Sequence, residues 1–161
     1  MVAMQFSDEV AWTLSDFIIA GVLLFGAALA YELISRKMNN FAYRAAVGLA
    51  GATTVLLAWI NGAVGIIGDG PMNMLYAGVV AVGIIGASIA RLKPQGMMRA
   101  LFATAAAQFL VPVIALIVMK PDFSPGVVHV FILNGVFVAL WVGSAFLFRR
   151  AADKTPARSD F

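Results

Sequence analysis

Trp59-Ile-Asn-Gly-Ala-Val-Gly-Ile-Ile-Gly-Asp-Gly-Pro-Met-Asn-Met-Leu-Tyr76 joins two long apolar runs through one turn marked by Gly and Pro. Pro brings a fixed φ and no N–H, and Gly accepts backbone angles that other residues resist. Asp69-Gly70-Pro71 is therefore predicted to end one helix and open the next. The apolar runs on either side last about 20 residues, which at 1.5 Å per residue crosses roughly 30 Å of hydrocarbon. Strands would cross in about ten residues of alternating polarity, and no such alternation persists. The stretch predicts a helical hairpin in an integral membrane bundle. Its hexapeptide Ala63-Val-Gly-Ile-Ile-Gly68 returns letter for letter as Ala81-Val-Gly-Ile-Ile-Gly86, which would place matching glycines on both arms. These residue types are common in membrane helices, so the echo is either coincidence or a duplication. The flanking residues show no extended inverted repeat of the transporter type.

Working outward, 62% of the 161 residues are hydrophobic and only 12% are charged, where soluble domains carry about a quarter charged. Five spans follow, at about 14–34, 45–68, 72–90, 100–119 and 127–148, so the fold class is all-α, a bundle of five transmembrane helices. The basic residues test that count, because Lys and Arg collect in cytoplasmic connections. Arg36, Lys37 and Arg44 follow the first span, Arg91, Lys93 and Arg99 the third, and Arg149, Arg150, Lys154 and Arg158 the fifth. Lys120 alone falls on the other side, with Asp8, Glu9, Asp16, Asp69 and Asp122. This asymmetry predicts the N-terminus outside and the C-terminus in the cytoplasm. The acidic N-terminus lacks the basic region of a cleaved signal peptide, so the first span is expected to be retained, with a helix start near Ser7 and Phe6, Val10 and Trp12 in the interface. Short connections make sequential helices antiparallel neighbours in one domain, residues 1–150, followed by a polar tail at 151–161.

Few polar side chains lie within the spans. Asn61 and Asn134 each sit about eight residues from the outer end of a span, roughly 12 Å deep, and are expected to meet, either as an interhelical contact or as lining of a ligand or ion site. Gln108 is near the middle of the fourth span, and Pro112 removes the helical hydrogen bond to its carbonyl, which predicts a kink there. Glu32 is the one acid predicted within a span. It is read either as half of a helical ion pair with Arg36 or as a proton-carrying carboxyl. His129 is the single histidine and a weak candidate cofactor ligand, whose other ligand would have to come from another chain. The chain has no Cys, and no catalytic constellation, metal set, phosphate loop or nucleic-acid patch is recognisable. No cofactor is expected. Small residues recur at a spacing of four: Gly135, Ala139 and Gly143 in the fifth span, with Gly26/Ala30, Gly48/Ala52, Gly83/Ala87 and Ala103/Ala107 elsewhere. Such stripes pack helices within a chain or against a partner chain.

The 59–70 stretch, Asn73-Met-Leu-Tyr76, Ala90-Arg-Leu-Lys-Pro-Gln-Gly-Met-Met-Arg-Ala-Leu-Phe-Ala-Thr104 and Gly143-Ser-Ala-Phe-Leu-Phe-Arg-Arg150 resemble a group of small uncharacterised bacterial multi-span inner-membrane proteins, over roughly residues 55–150. The resemblance implies a bacterial inner membrane and no activity. Asp69 and Asn73 would fill an acidic and an Asn position at the turn, with Gly70 and Pro71 departing from the pattern. The resulting expectation is a non-enzymatic accessory or assembly component of a larger membrane complex, with the lipid bilayer and other membrane chains, or a second copy, as partners. The alternatives are a small carrier using Asn61, Gln108 and Asn134, and a haem or quinone site in a redox assembly.

Overall fold

The structure, a computed structural model, describes residues 14–36, 40–67 and 70–153. The expected helix start at Ser7 and the interfacial Phe6, Val10 and Trp12 lie outside these residues, as do Gly68, Asp69 and the tail from Lys154. Five helices form: α1 (Leu14–Ser35), α2 (Phe41–Val64), α3 (Met74–Ile89), α4 (Pro94–Met119) and α5 (Pro125–Asp153), with a 3₁₀ turn at Pro71–Asn73 leading into α3. All five are long and apolar enough to cross a membrane, as befits a multi-pass membrane protein, and no strand occurs among the described residues.

The helix ends follow local chemistry. Asn40 caps α2, its side chain accepting from the Ala42 amide at 2.9 Å, so this helix begins four residues earlier than hydropathy suggests. Pro94 and Pro125 open α4 and α5, at positions where a missing N–H costs nothing. α2 stops at Val64 because Gly65 takes a positive φ of 62° and its N–H returns to the Asn61 carbonyl at 3.1 Å. The two copies of the hexapeptide therefore fold differently. The first unwinds at Gly65, whereas the second lies wholly inside α3. The paired-arm reading fails, since identical letters meet different neighbours.

The second copy does close packing. A Cβ on Gly86 would come within 2.7 Å of the Ala100 Cβ and 3.3 Å of its Cα, and one on Gly83 within 3.4 Å of the Thr104 hydroxyl. α3 therefore lies almost backbone to backbone on α4, the close approach that small residues permit in lipid. The α3–α4 turn is equally tight. Arg91 and Leu92 both have positive φ, 49° and 60°, and the Leu92 N–H reaches back to the Ala87 carbonyl at 3.3 Å. Tyr43 of α2 donates its hydroxyl to the Leu92 carbonyl at 2.9 Å and packs edge to face on Phe148 at 5.2 Å.

Sequence neighbours do not all pack together. α4 with α5 makes the most extensive contact, α2 lies on α5 and α3 on α4, whereas α2 and α3 barely touch; α1 rests on α2. The spatial order is α1, α2, α5, α4, α3. The expected α2–α3 hairpin is splayed, because the unwound segment after Gly65 separates its arms and α5 supplies the surface that α2 needs. There Ser144 donates to the Ala46 carbonyl at 2.8 Å, fully buried. α4 is the most buried helix and α1 the least. The end of α5 also differs from a frayed tail: it stays helical through Asp153, with Ala151 buried and its carbonyl accepting from Asn40 at 3.4 Å.

Gly86→Ala should force α3 off α4 and destabilise the protein by about 1–3 kcal/mol, the usual cost of overpacking. Gly78→Ala on the same helix, where a Cβ would meet nothing within 4 Å, should be neutral or slightly stabilising. Reversible unfolding in mixed micelles, followed by circular dichroism, compares the two.

Candidate functional site

The interior polar cluster is built on three helices. Asn134 of α5, Gln108 of α4 and Tyr76 of α3 are 1%, 0% and 2% exposed. Gln108 donates its Nε2 to Asn134 Oδ1 at 2.8 Å. The Tyr76 hydroxyl lies 3.1 Å from Asn134 Oδ1 and 2.9 Å from its Nδ2, and that Nδ2 also donates to the Val130 carbonyl at 2.8 Å. One amide therefore ties α5 to both α3 and α4. Gln108 Oε1 remains buried without a hydrogen-bond partner among the described residues. The carbonyl of Gln108 also lacks its usual helical donor, since residue 112 is Pro, yet α4 continues as one helix through Pro112.

Asn61 does not join this cluster, so the expected Asn61–Asn134 contact is not made. α2 ends at Val64, so Asn61 falls in the last turn of its helix, whereas Asn134 lies well inside α5. Asn61 instead donates to the Asn73 carbonyl at 3.2 Å, while Asn73 Oδ1 accepts from the Ile67 amide at 3.0 Å. These two asparagines tie down the unwound connection between α2 and α3. Asn61 Oδ1 is buried with no partner among the described residues, as is the indole Nε1 of Trp141.

The remaining candidates lie apart. Arg36 Nε donates to Glu32 Oε1 at 2.7 Å, with both side chains largely exposed. That is the helical ion-pair arrangement, and an exposed pair of this kind contributes little stability. His129 is exposed on the second turn of α5, and no group of three or more His, Cys, Asp or Glu among the described residues could hold a metal. The fifth-span stripe divides. A Cβ on Gly143 would sit 3.6 Å from Leu49, so this residue faces α2, whereas a Cβ on Gly135 would meet nothing within 4 Å and Ala139 is exposed.

Two cavities flank the cluster. One of about 280 Å³ lies between the 66–67 turn and the facing ends of α4 and α5, lined by Pro112 and Val130, each one turn from the cluster. The other, about 490 Å³, fills the splay between α2 and α3, with α1 as one wall and Thr104 and Trp141 in its lining. Comparisons with family models, with curated proteins and with solved structures return no match.

Tyr76 escaped the sequence reading. Its signal was available: it lies one turn beyond Asn73 in an apolar helix, and a buried tyrosine needs a partner for its hydroxyl. Asn134→Leu should cost about 1–3 kcal/mol, because it strands the Gln108 amide and the Tyr76 hydroxyl in a dry interior. Gln108→Leu should cost less, since it also removes an acceptor that is already unsatisfied. A double-mutant cycle by unfolding in mixed micelles should show strong non-additivity between the two.

Proposed function

We propose that this chain is a non-enzymatic, accessory or assembly component of a larger membrane complex, docking through the outward small-residue face of α5. The observation that supports this reading is a division of labour on one helix. Asn134 is engaged by Gln108 and Tyr76 of the same protein, while Gly135 and Ala139 stand bare on another face. A bare small-residue face permits close approach of a second helix, where packing and not hydrophobicity drives association. The basic residues cluster at the end where α1, α3 and α5 finish, so the positive-inside rule supports an outside N-terminus and a cytoplasmic C-terminus. The resemblance to small bacterial proteins supports an inner-membrane location.

Gentle solubilisation and native mass measurement should find the chain with another membrane chain or a second copy of itself. Gly135→Leu with Ala139→Leu should release it as a monomer without lowering its unfolding midpoint, because a Cβ at Gly135 meets nothing within 4 Å and Ala139 is exposed. A wild-type chain that is monomeric and purifies alone overturns the proposal.

A second reading, a small carrier of a weakly polar solute, is favoured by the unpartnered Gln108 Oε1 beside Pro112 and the 280 Å³ cavity. It requires water to reach the cluster. Cysteines placed singly at positions 61, 108 and 134 should then react with an aqueous thiol reagent in at least one state, and protection of all three throughout would sink it.

A further inference from the structure

The 490 Å³ cavity lies in the half of the bundle that carries the basic end, and its lining runs axially. Along α1 it extends from Val22 to Ile34, twelve residues or roughly 18 Å of helix, a little over half the ~30 Å hydrocarbon core. Its walls are almost wholly apolar, and Gly26 and Gly51 leave space in them where a Cβ would meet nothing within 4 Å. Its length is that of one acyl chain in one leaflet.

Cations lie close in sequence to the lining residues. On α2 the stripe of Val47, Gly51 and Thr54 continues one turn toward the basic end to Arg44. Arg91 and Lys93 lie in the turn that joins α3 to α4, each four residues in sequence from a lining residue, Ala87 and Met97. Arg44, Arg91 and Lys93 are exposed, and no ion pair among the described residues engages them. The apolar cavity therefore runs toward the end of the bundle that carries these exposed cations. The buried Trp141, 3% exposed, lines the cavity.

We infer that this cavity is a binding site for an anionic phospholipid, with one acyl chain inserted between α1, α2 and α3 and the phosphate held at Arg44, Arg91 and Lys93. A zwitterionic lipid offers the same chain but no net charge to the three cations, so the site discriminates by headgroup. The splay of α2 from α3 is filled from the leaflet, and α1 rests on the lipid as well as on α2. The site is independent of the docking face on α5.

Trp141 reports occupancy. In a Trp12→Phe/Trp59→Phe background, the full chain is reconstituted in phosphatidylcholine vesicles containing either brominated phosphatidylglycerol or brominated phosphatidylcholine. Lipid around the bundle has little access to a buried indole, whereas a chain in the cavity lies against it. Brominated phosphatidylglycerol should half-quench Trp141 at about a tenfold lower mole fraction than brominated phosphatidylcholine. Arg44→Gln with Lys93→Gln should bring the two curves together. Gly51→Leu and Gly26→Leu fill the cavity from two walls at positions where a Cβ meets nothing within 4 Å, and each should remove most of the quenching by both lipids while helicity is retained. Equal quenching by the two lipids in the unfilled chain, or quenching that survives both filling substitutions, overturns the assignment.

Discussion

An amide buried in hydrocarbon cannot turn to water for its hydrogen bonds, so it must find them within the protein or leave them unmade at a cost. Asn134 meets that demand by drawing Gln108 from α4 and Tyr76 from α3 onto one point of α5. Apolar contacts between helices in lipid are nearly interchangeable, since a lipid tail replaces a leucine neighbour at little loss. A three-way polar contact is not interchangeable. It fixes the rotation of each helix about its axis, and every other close approach inherits that rotation. With α4 turned so that Gln108 faces α5, Ala100 and Thr104 fall on the side that meets Gly86 and Gly83 of α3.

The same geometry explains why the chain does not fold as a succession of hairpins. α5 offers Ser144 to the Ala46 carbonyl of α2 and Phe148 to Tyr43, so α2 is held by the last helix in the chain and not by the next one. α3 is held by α4. Between α2 and α3 remains a connection that unwinds at Gly65 and is secured by Asn61 and Asn73. The polar residues at the end opposite the basic cluster thus tie the connection down, and those at the middle join α3, α4 and α5.

What could be read from the sequence follows from this division. Span count and charge asymmetry depend on composition over about twenty residues and were legible. The helix starts at Asn40, Pro94 and Pro125 follow rules that act within one turn, and hydropathy alone places them later, at about 45, 100 and 127. Hydropathy also places Asn61 too deep, because α2 stops at Val64, short of the expected end at residue 68, and leaves it in the last turn of the helix. The partners of Asn61 and Asn134 were not legible, since partnership requires the rotation of each helix, which long-range packing sets. The hexapeptide misleads for the same reason: Gly65 has room to take a positive φ after Val64, whereas Gly83 and Gly86 are held in a helix by α4. The interior cluster was legible in two of its three members, and Tyr76 was hidden by being counted as apolar.

Stability and openness are therefore separated in space. The contacts that discriminate among packings lie along α5 and α4, the two helices with the most extensive shared surface. α1 takes no part in them and is the least buried of the five helices. The strained turn at Arg91 and Leu92, anchored by the Tyr43 hydroxyl, keeps α2 and α3 in fixed relation at the basic end even though their middles part. Width of the gap between them is thus set by rigid elements at both ends, Tyr43 at one and Asn61 with Asn73 at the other. A space bounded in this way persists because its walls are held, not because anything inside it pushes them apart.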